Sequence, residues 1–160
     1  SARVDGLIFG ASGRISDAWM IYANYTHLVS EVLQGVSDTD VAAGLDYSRG
    51  ERLTNTPENS LGLWTTYDLN RAWQFGYGAN YLGKVWLNQH SSNYQDGPLS
   101  TAPGYWVHRA MAAWTPNRSL RLQLNVNNLF DKEYYSRPRN NGWSTPGEAR
   151  SATLTASYFF

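Results

Sequence analysis

The residues that could do chemistry in this chain are few and scattered. His27, His90 and His108 each stand alone, with no His-x-x-x-His pair to hold a metal and no Gly-x-Ser-x-Gly elbow to present a nucleophile. Cysteine is absent, which removes zinc clusters and disulfide frameworks together. The sequence therefore reads as that of a non-enzyme. A Ser-His-Asn set assembled on a barrel wall, as a lipid hydrolase would use, is left open because triads are made by geometry rather than spacing. Binding chemistry is better represented. Trp86, Gln89, His90, Tyr94, Tyr135, Arg137, Arg139 and Trp143 fall at or beyond the ends of alternating segments. Arginine offers a charged fork of donors, and tryptophan and tyrosine offer a stacking face with a polar tip. The same residues could equally be interfacial aromatics and solvated loop charges.

The elements that must position these residues are strands. Ala152, Leu154, Ala156, Tyr158 and Phe160 alternate with Ser151, Thr153, Thr155, Ser157 and Phe159. Before them, Leu120, Leu122, Leu124 and Val126 alternate with Arg121, Gln123, Asn125 and Asn127. A period of two over this length means strands with one apolar and one polar side. The same pattern predicts strands over 3–15, 18–33, 59–69, 72–88 and 104–115, making seven. Short turns at Ser16-Asp17, Asn70-Arg71 and Pro116-Asn117 alternate with long connections at about 34–57, 89–103 and 133–148. Short turns on one side and long loops on the other is the asymmetry of outer-membrane barrels.

Composition agrees. Aromatics are 14% of the 160 residues, including seven Trp and eleven Tyr, more than a soluble core of this size needs. Yet the mean hydropathy is -0.49, so the chain as a whole is polar. Aromatic girdles around a polar interior reconcile the two. Trp106 and Trp114 share one face eight residues apart, about 27 Å along a strand and about 21 Å across a bilayer when tilted. No apolar run is long enough for a transmembrane helix. Thirteen basic residues balance thirteen acidic ones, so no nucleic-acid surface is expected. Residues 1–5 carry no export signal, so an exported protein would have lost it or would carry it elsewhere. A soluble β-sandwich is the rival fold, and it would bury Leu122, Leu154 and Trp106 under a second sheet.

Asn127-Asn128-Leu129-Phe130-Asp131-Lys132-Glu133-Tyr134-Tyr135, then Pro146-Gly147-Glu148-Ala149-Arg150 and a strand ending in Phe160, resembles the C-terminal signature of TonB-dependent outer-membrane siderophore receptors. The run from Arg137 to Trp143 resembles the ferric-siderophore branch, catecholate receptors included. The resemblance implies an all-β, antiparallel transmembrane β-barrel segment, about seven strands of a larger, about 22-stranded barrel. Residues 1–160 would be its C-terminal part, with the plug domain and earlier strands lying outside this chain. The implied function is ferric siderophore uptake in the bacterial outer membrane; a passive porin or a small structural barrel is the alternative. Implied partners are the ferric siderophore, the remaining barrel and plug polypeptide, the TonB complex through that plug, and outer-membrane lipid. No cofactor and no protein metal ligand are implied, because the siderophore itself would hold the iron. Trp86, Gln89, His90, Tyr94, Tyr135, Arg137, Arg139 and Trp143 would then meet an anionic aromatic ligand. Tyr158 and Phe160 match the barrel-assembly signal. Arg150 is expected to face the lumen and pair with Glu148.

Overall fold

The computed structural model describes residues 1–91, 97–139 and 143–160. In chain order its elements begin with β1 (Ala2–Ser16), β2 (Trp19–Val32), a single helical turn α1 (Asp38–Ala42), β3 (Asn59–Asp68) and β4 (Trp73–Leu82). There follow β5 (Val85–Trp86), β6 (Thr101–Ala102), β7 (Tyr105–Trp114), β8 (Leu120–Asn127), β9 (Tyr135–Pro138), β10 (Ser144–Pro146) and β11 (Ser151–Tyr158). Seven of them form one antiparallel sheet in the order β1-β2-β3-β4-β7-β8-β11.

The register keeps each face in phase across the sheet. One row runs Phe9, Tyr25, Leu61, Tyr81, Trp106; another runs Trp19, Tyr67, Phe75, Ala112, Leu124, Leu154. Nothing covers this face. Leu154 is 70% exposed, Leu7 60% and Trp106 43%, and no large side chain among the described residues is fully buried. The sandwich expectation fails on that observation, because a water-soluble sheet would hide these groups at a gain of about 1.5–3 kcal/mol each. Near the short turns the aromatics touch one another, Trp73 lying 5.8 Å from Trp114 and 6.0 Å from Phe75 between ring centres. Nearer the loops Tyr81 meets Trp106 at 5.0 Å.

The short turns are set by asparagine. Asn70 Oδ1 accepts the N–H groups of Ala72 and Trp73, and Asn117 Oδ1 those of Ser119 and Leu120, so each side chain stands in for a backbone carbonyl. β1 and β2, 15 and 14 residues long, exceed the about 9–11 residues that span a bilayer. Their surplus projects on the long-loop side, where the Val32 N–H donates to the Glu51 carbonyl and the Gly50 N–H to that of Val32.

Three predicted boundaries differ. The fourth strand stops at Leu82 instead of running to 88. The Gly83 N–H donates to the Asn59 carbonyl as the last bond in the β3–β4 register, and a Cβ at Gly83 would lie 2.7 Å from that oxygen. Val85 and Trp86 then pair with Thr101 and Ala102 as a separate ribbon. Within 133–148, β9 and β10 form another short ribbon. Within 34–57, Ser37 caps α1, its hydroxyl accepting the Asp40 N–H.

Candidate functional site

The loop that joins β8 to β11 is organised by one buried amide. Asn128 is 3% exposed. Its Nδ2 donates to the carbonyls of Lys132 and Glu148 at 3.0 and 2.9 Å, and its Oδ1 accepts the Lys132 N–H at 2.8 Å. Asn128 and Asp131 both have positive φ, 46° and 52°, which Asn and Asp tolerate better than most residues. The Asp131 carboxylate accepts the Arg150 N–H at 3.0 Å, tying the loop to the start of β11. Gly147 completes the knot: its N–H donates to the Tyr134 carbonyl, and a Cβ there would sit 2.2 Å from the Tyr134 ring. The Tyr134 ring in turn lies 4.6 Å from that of Tyr105, so the loop is clamped to the top of β7.

Between this loop and residues 82–85 and 102–105 lies a cavity of about 950 Å³. Tyr105 and Tyr134 form part of its wall, and Lys132, Tyr135, Arg137 and Arg139 stand on its border. The guanidinium groups of Arg137 and Arg139 are exposed and make no hydrogen bond or ion pair with any described residue. Free guanidinium forks beside tyrosine faces can receive an anionic, planar oxygen ligand, and the volume suits a small molecule.

The other predicted contacts go elsewhere. Trp86 is half-buried under the Lys84 ammonium, 4.8 Å from its ring. Gln89 donates to the Arg52 carbonyl at 2.8 Å. His90 joins two loops: its Nδ1 contacts the Glu51 carboxylate, its N–H donates to the same carboxylate at 2.9 Å, and its Nε2 faces the Gly97 carbonyl at 3.0 Å. Trp143 is 75% exposed and is not among the residues lining this cavity. Tyr94 lies outside the described residues. The sequence-predicted set thus divides, with Tyr135, Arg137 and Arg139 at one cavity and Trp86, Gln89 and His90 in loop-to-loop contacts. The expected Arg150–Glu148 pair does not form: the Arg150 N–H bonds Asp131, and the Glu148 carbonyl bonds Asn128. Tyr158 and Phe160 meet edge to face at 5.3 Å on an exposed strand end. Among the described residues no three His, Asp or Glu side chains are grouped to hold a metal. Beside these loops, the Arg52 guanidinium holds the Glu58 carboxyl below its ordinary value, through a hydrogen bond first and charge second.

Two features escaped the sequence reading. Trp64 has polar parity, and on the lumen side of the sheet it lies over Gly76 and Gly78, where the Arg109 guanidinium meets it at 4.7 Å. The signal was a tryptophan placed directly across from a Gly-x-Gly strand segment. His108, predicted on the lipid side, is bonded there to the Tyr77 hydroxyl at 2.6 Å and flanked by Trp106 and Phe130.

The family described as TonB dependent receptor-like, beta-barrel matches residues 1–129. Among curated proteins, the probable TonB-dependent siderophore receptor PiuA of Acinetobacter baumannii is 33% identical over 98% of this chain. The catecholate siderophore receptor Fiu of Escherichia coli is 35% identical over 99% of it. The chain spans about 20% of the length of each. The crystal structure of PiuA superposes with a TM-score of 0.81 at 32% identity, covering 98% of this chain and 22% of that one. The closed form of Fiu gives 0.78 at 29% identity, covering 99% and 21%. An uncovered apolar face, alternating short and long connections and this agreement have one reading: the chain belongs to the TonB-dependent receptor β-barrel family of the outer membrane.

Proposed function

We propose that the protein whose barrel wall this chain forms takes up a ferric siderophore, of the catecholate type, across the outer membrane in a TonB-dependent manner. The observation that carries the reading is the loop-end cavity, where unpaired Arg137 and Arg139 stand beside Tyr135, Tyr134 and Tyr105. A ferric catecholate presents anionic oxygens on the edges of aromatic rings. The guanidinium forks answer the oxygens and the tyrosines answer the ring faces. Iron stays with the siderophore, so the wall supplies recognition and no metal ligand. The similarity to PiuA, a probable siderophore receptor, supports a siderophore as ligand, and that to Fiu, a catecholate siderophore receptor, supports the catecholate type.

The remainder of the barrel and a plug domain complete the receptor in this reading. β1 and β11 each have a partner on one side only, and unpaired backbone groups in lipid cost several kcal/mol each. Further strands close the wall, the plug gates it and carries the contact with TonB, and Tyr158 with Phe160 directs assembly. The test is equilibrium binding to the full-length receptor, comparing a ferric catecholate with its iron-free form. Strong preference for the ferric complex is expected, and equal affinity for the two would sink the reading. Planar-bilayer recording separates it from a porin, which would conduct steadily where a plugged receptor stays shut.

A further inference from the structure

The lumen face of the wall carries few charges, and they are not answered equally. Arg14, Arg109 and Arg121 have lumen parity, against a single carboxylate, Asp68. Arg121 donates to Gln74 Oε1 at 3.1 Å, and Gln74 in turn donates to Asp68 at 2.8 Å, so that cation is linked to the carboxylate. The side chain of Arg109, midway along β7, makes no hydrogen bond or ion pair with any described residue. Its one recorded partner is the Trp64 ring.

The floor beneath the pair is built for it. Trp64, Gly78 and Arg109 are cross-strand neighbours in one row. A Cβ on Gly78 would lie 2.7 Å from Arg109 Nε and 2.8 Å from the Trp64 ring, and one on Gly76 2.8 Å from that ring. Only a side chain without a Cβ lets both groups lie flat against the wall. Stacking uses the face of the guanidinium and leaves its in-plane N–H donors on the edge. Arg109 and Trp64 line a shallow cavity of about 350 Å³ together with Tyr22, Asn24, Gly62 and Asn80. A tryptophan, a pre-stacked fork and two amides are the chemistry of a planar oxyanion site.

Resting on the uptake reading above, we infer that Arg109 on Trp64 is a second binding site, on the lumen wall, for a planar oxyanion such as a carboxylate or a pair of catecholate oxygens. The oxyanion comes either from a ligand in passage or from a fixed carboxylate of polypeptide inside the lumen.

The experiment uses the full-length receptor in cells lacking other ferric-catecholate receptors, with radioiron-loaded dihydroxybenzoate as probe. If the ligand in passage supplies the oxyanion, Arg109→Gln leaves surface binding within about twofold of wild type and lowers energised uptake roughly tenfold or more, as losing a charged hydrogen bond would. Arg109→Lys, which keeps charge without the fork, falls between. A second arm measures ligand-free thermal unfolding and bilayer leak of the purified receptor. If a fixed carboxylate occupies the site, Arg109→Gln lowers the unfolding temperature and opens a leak before any ligand is added. Unchanged uptake together with unchanged unfolding and leak overturns the site. Wild-type cells that accumulate no iron from this probe would count against the uptake reading, and the second arm would then decide Arg109 alone.

Discussion

Two parts of the loop side hold themselves together with opposite chemistry. The loop from Asn128 to Arg150 is knotted by a buried neutral amide, two positive-φ residues and a glycine under a tyrosine ring. The loops around Glu51 and His90 are joined by ionisable groups nearer to water, His90 on Glu51 and Arg52 on Glu58. A buried amide geometry tolerates almost no substitution, because an unpaired donor in a closed site costs its full desolvation. A solvated ion pair contributes little and is easily replaced. The first kind leaves a rigid residue pattern in the sequence; the second leaves none.

The largest effect is therefore expected at Asn128. Asn128→Ala removes three hydrogen bonds and adds the strain of a left-handed alanine, together roughly 3–5 kcal/mol of local stability. Unfolding a whole barrel is not a two-state event, so the measurement is native-state hydrogen exchange at the Lys132 and Arg150 amides. A hundredfold or greater acceleration is expected. Asn128→Gly, which keeps the backbone freedom, should recover about 1 kcal/mol of that loss; identical exchange in Ala and Gly variants would show that strain plays no part. Next comes Gly147→Ala. Its methyl must displace the Tyr134 ring from its place against Tyr105, at about 2–3 kcal/mol. Adding Tyr134→Ala should restore most of the exchange protection at Gly147. If it does not, the clash is with something other than that ring.

How much of this was legible in the sequence follows the same division. Strict alternation announced the seven strands and the lipid face, because a period of two survives without knowledge of any partner. The Asn-Leu-Phe-Asp and Pro-Gly-Glu runs pointed to the family, but the reason for them was hidden. Asn128 reaches Glu148 across 20 residues, a distance that spacing rules do not cover. Alternation also misled: parity persists through Val85 and Leu87, so the strand seemed unbroken, whereas β4 ends at Leu82 and Val85 pairs with Ala102 in a separate ribbon. At the candidate site, Arg137 and Arg139 were chosen by residue type alone and border the cavity. Trp86 and His90 were chosen by the same rule and lie in contacts of the loops.

A smaller effect is expected at the charged junction. His90→Phe keeps the ring's bulk and the backbone N–H bond to Glu51, and removes the ring's own bonds to the Glu51 carboxylate and to the Gly97 carbonyl. These groups are partly buried, so a loss of about 1–2 kcal/mol in local protection around Gln89 and Arg52 is expected. Protection unchanged there would mean that the loops are joined mainly by the Asn55 N–H on the Trp86 carbonyl and by Gln89.

The smallest effect sharpens the contrast furthest. Glu58 has its pKa lowered first by the hydrogen bond from Arg52, against an opposing desolvation, with smaller lowering by the charges of Arg52, His27 and Lys84. A carboxylate depressed in the folded state stabilises it above the ordinary carboxylate value, and the contribution fades as pH falls through the lowered one. Acid should thus loosen the Arg52–Glu58 contact while leaving the bonds of the Asn128 amide untouched, as distinct from the Asp131 carboxylate on the Arg150 N–H. Carboxyl-carbon NMR of Glu58 in wild type and Arg52→Gln provides the check: the midpoint should rise toward the ordinary carboxylate value in the variant. Because Glu58 is solvated, this shift should bring almost no change in stability. An unmoved midpoint would remove Arg52 as its cause. A matching pH response in the exchange of the Lys132 amide would erase the distinction between the two regions, since nothing ionisable is bonded to the Asn128 side chain itself.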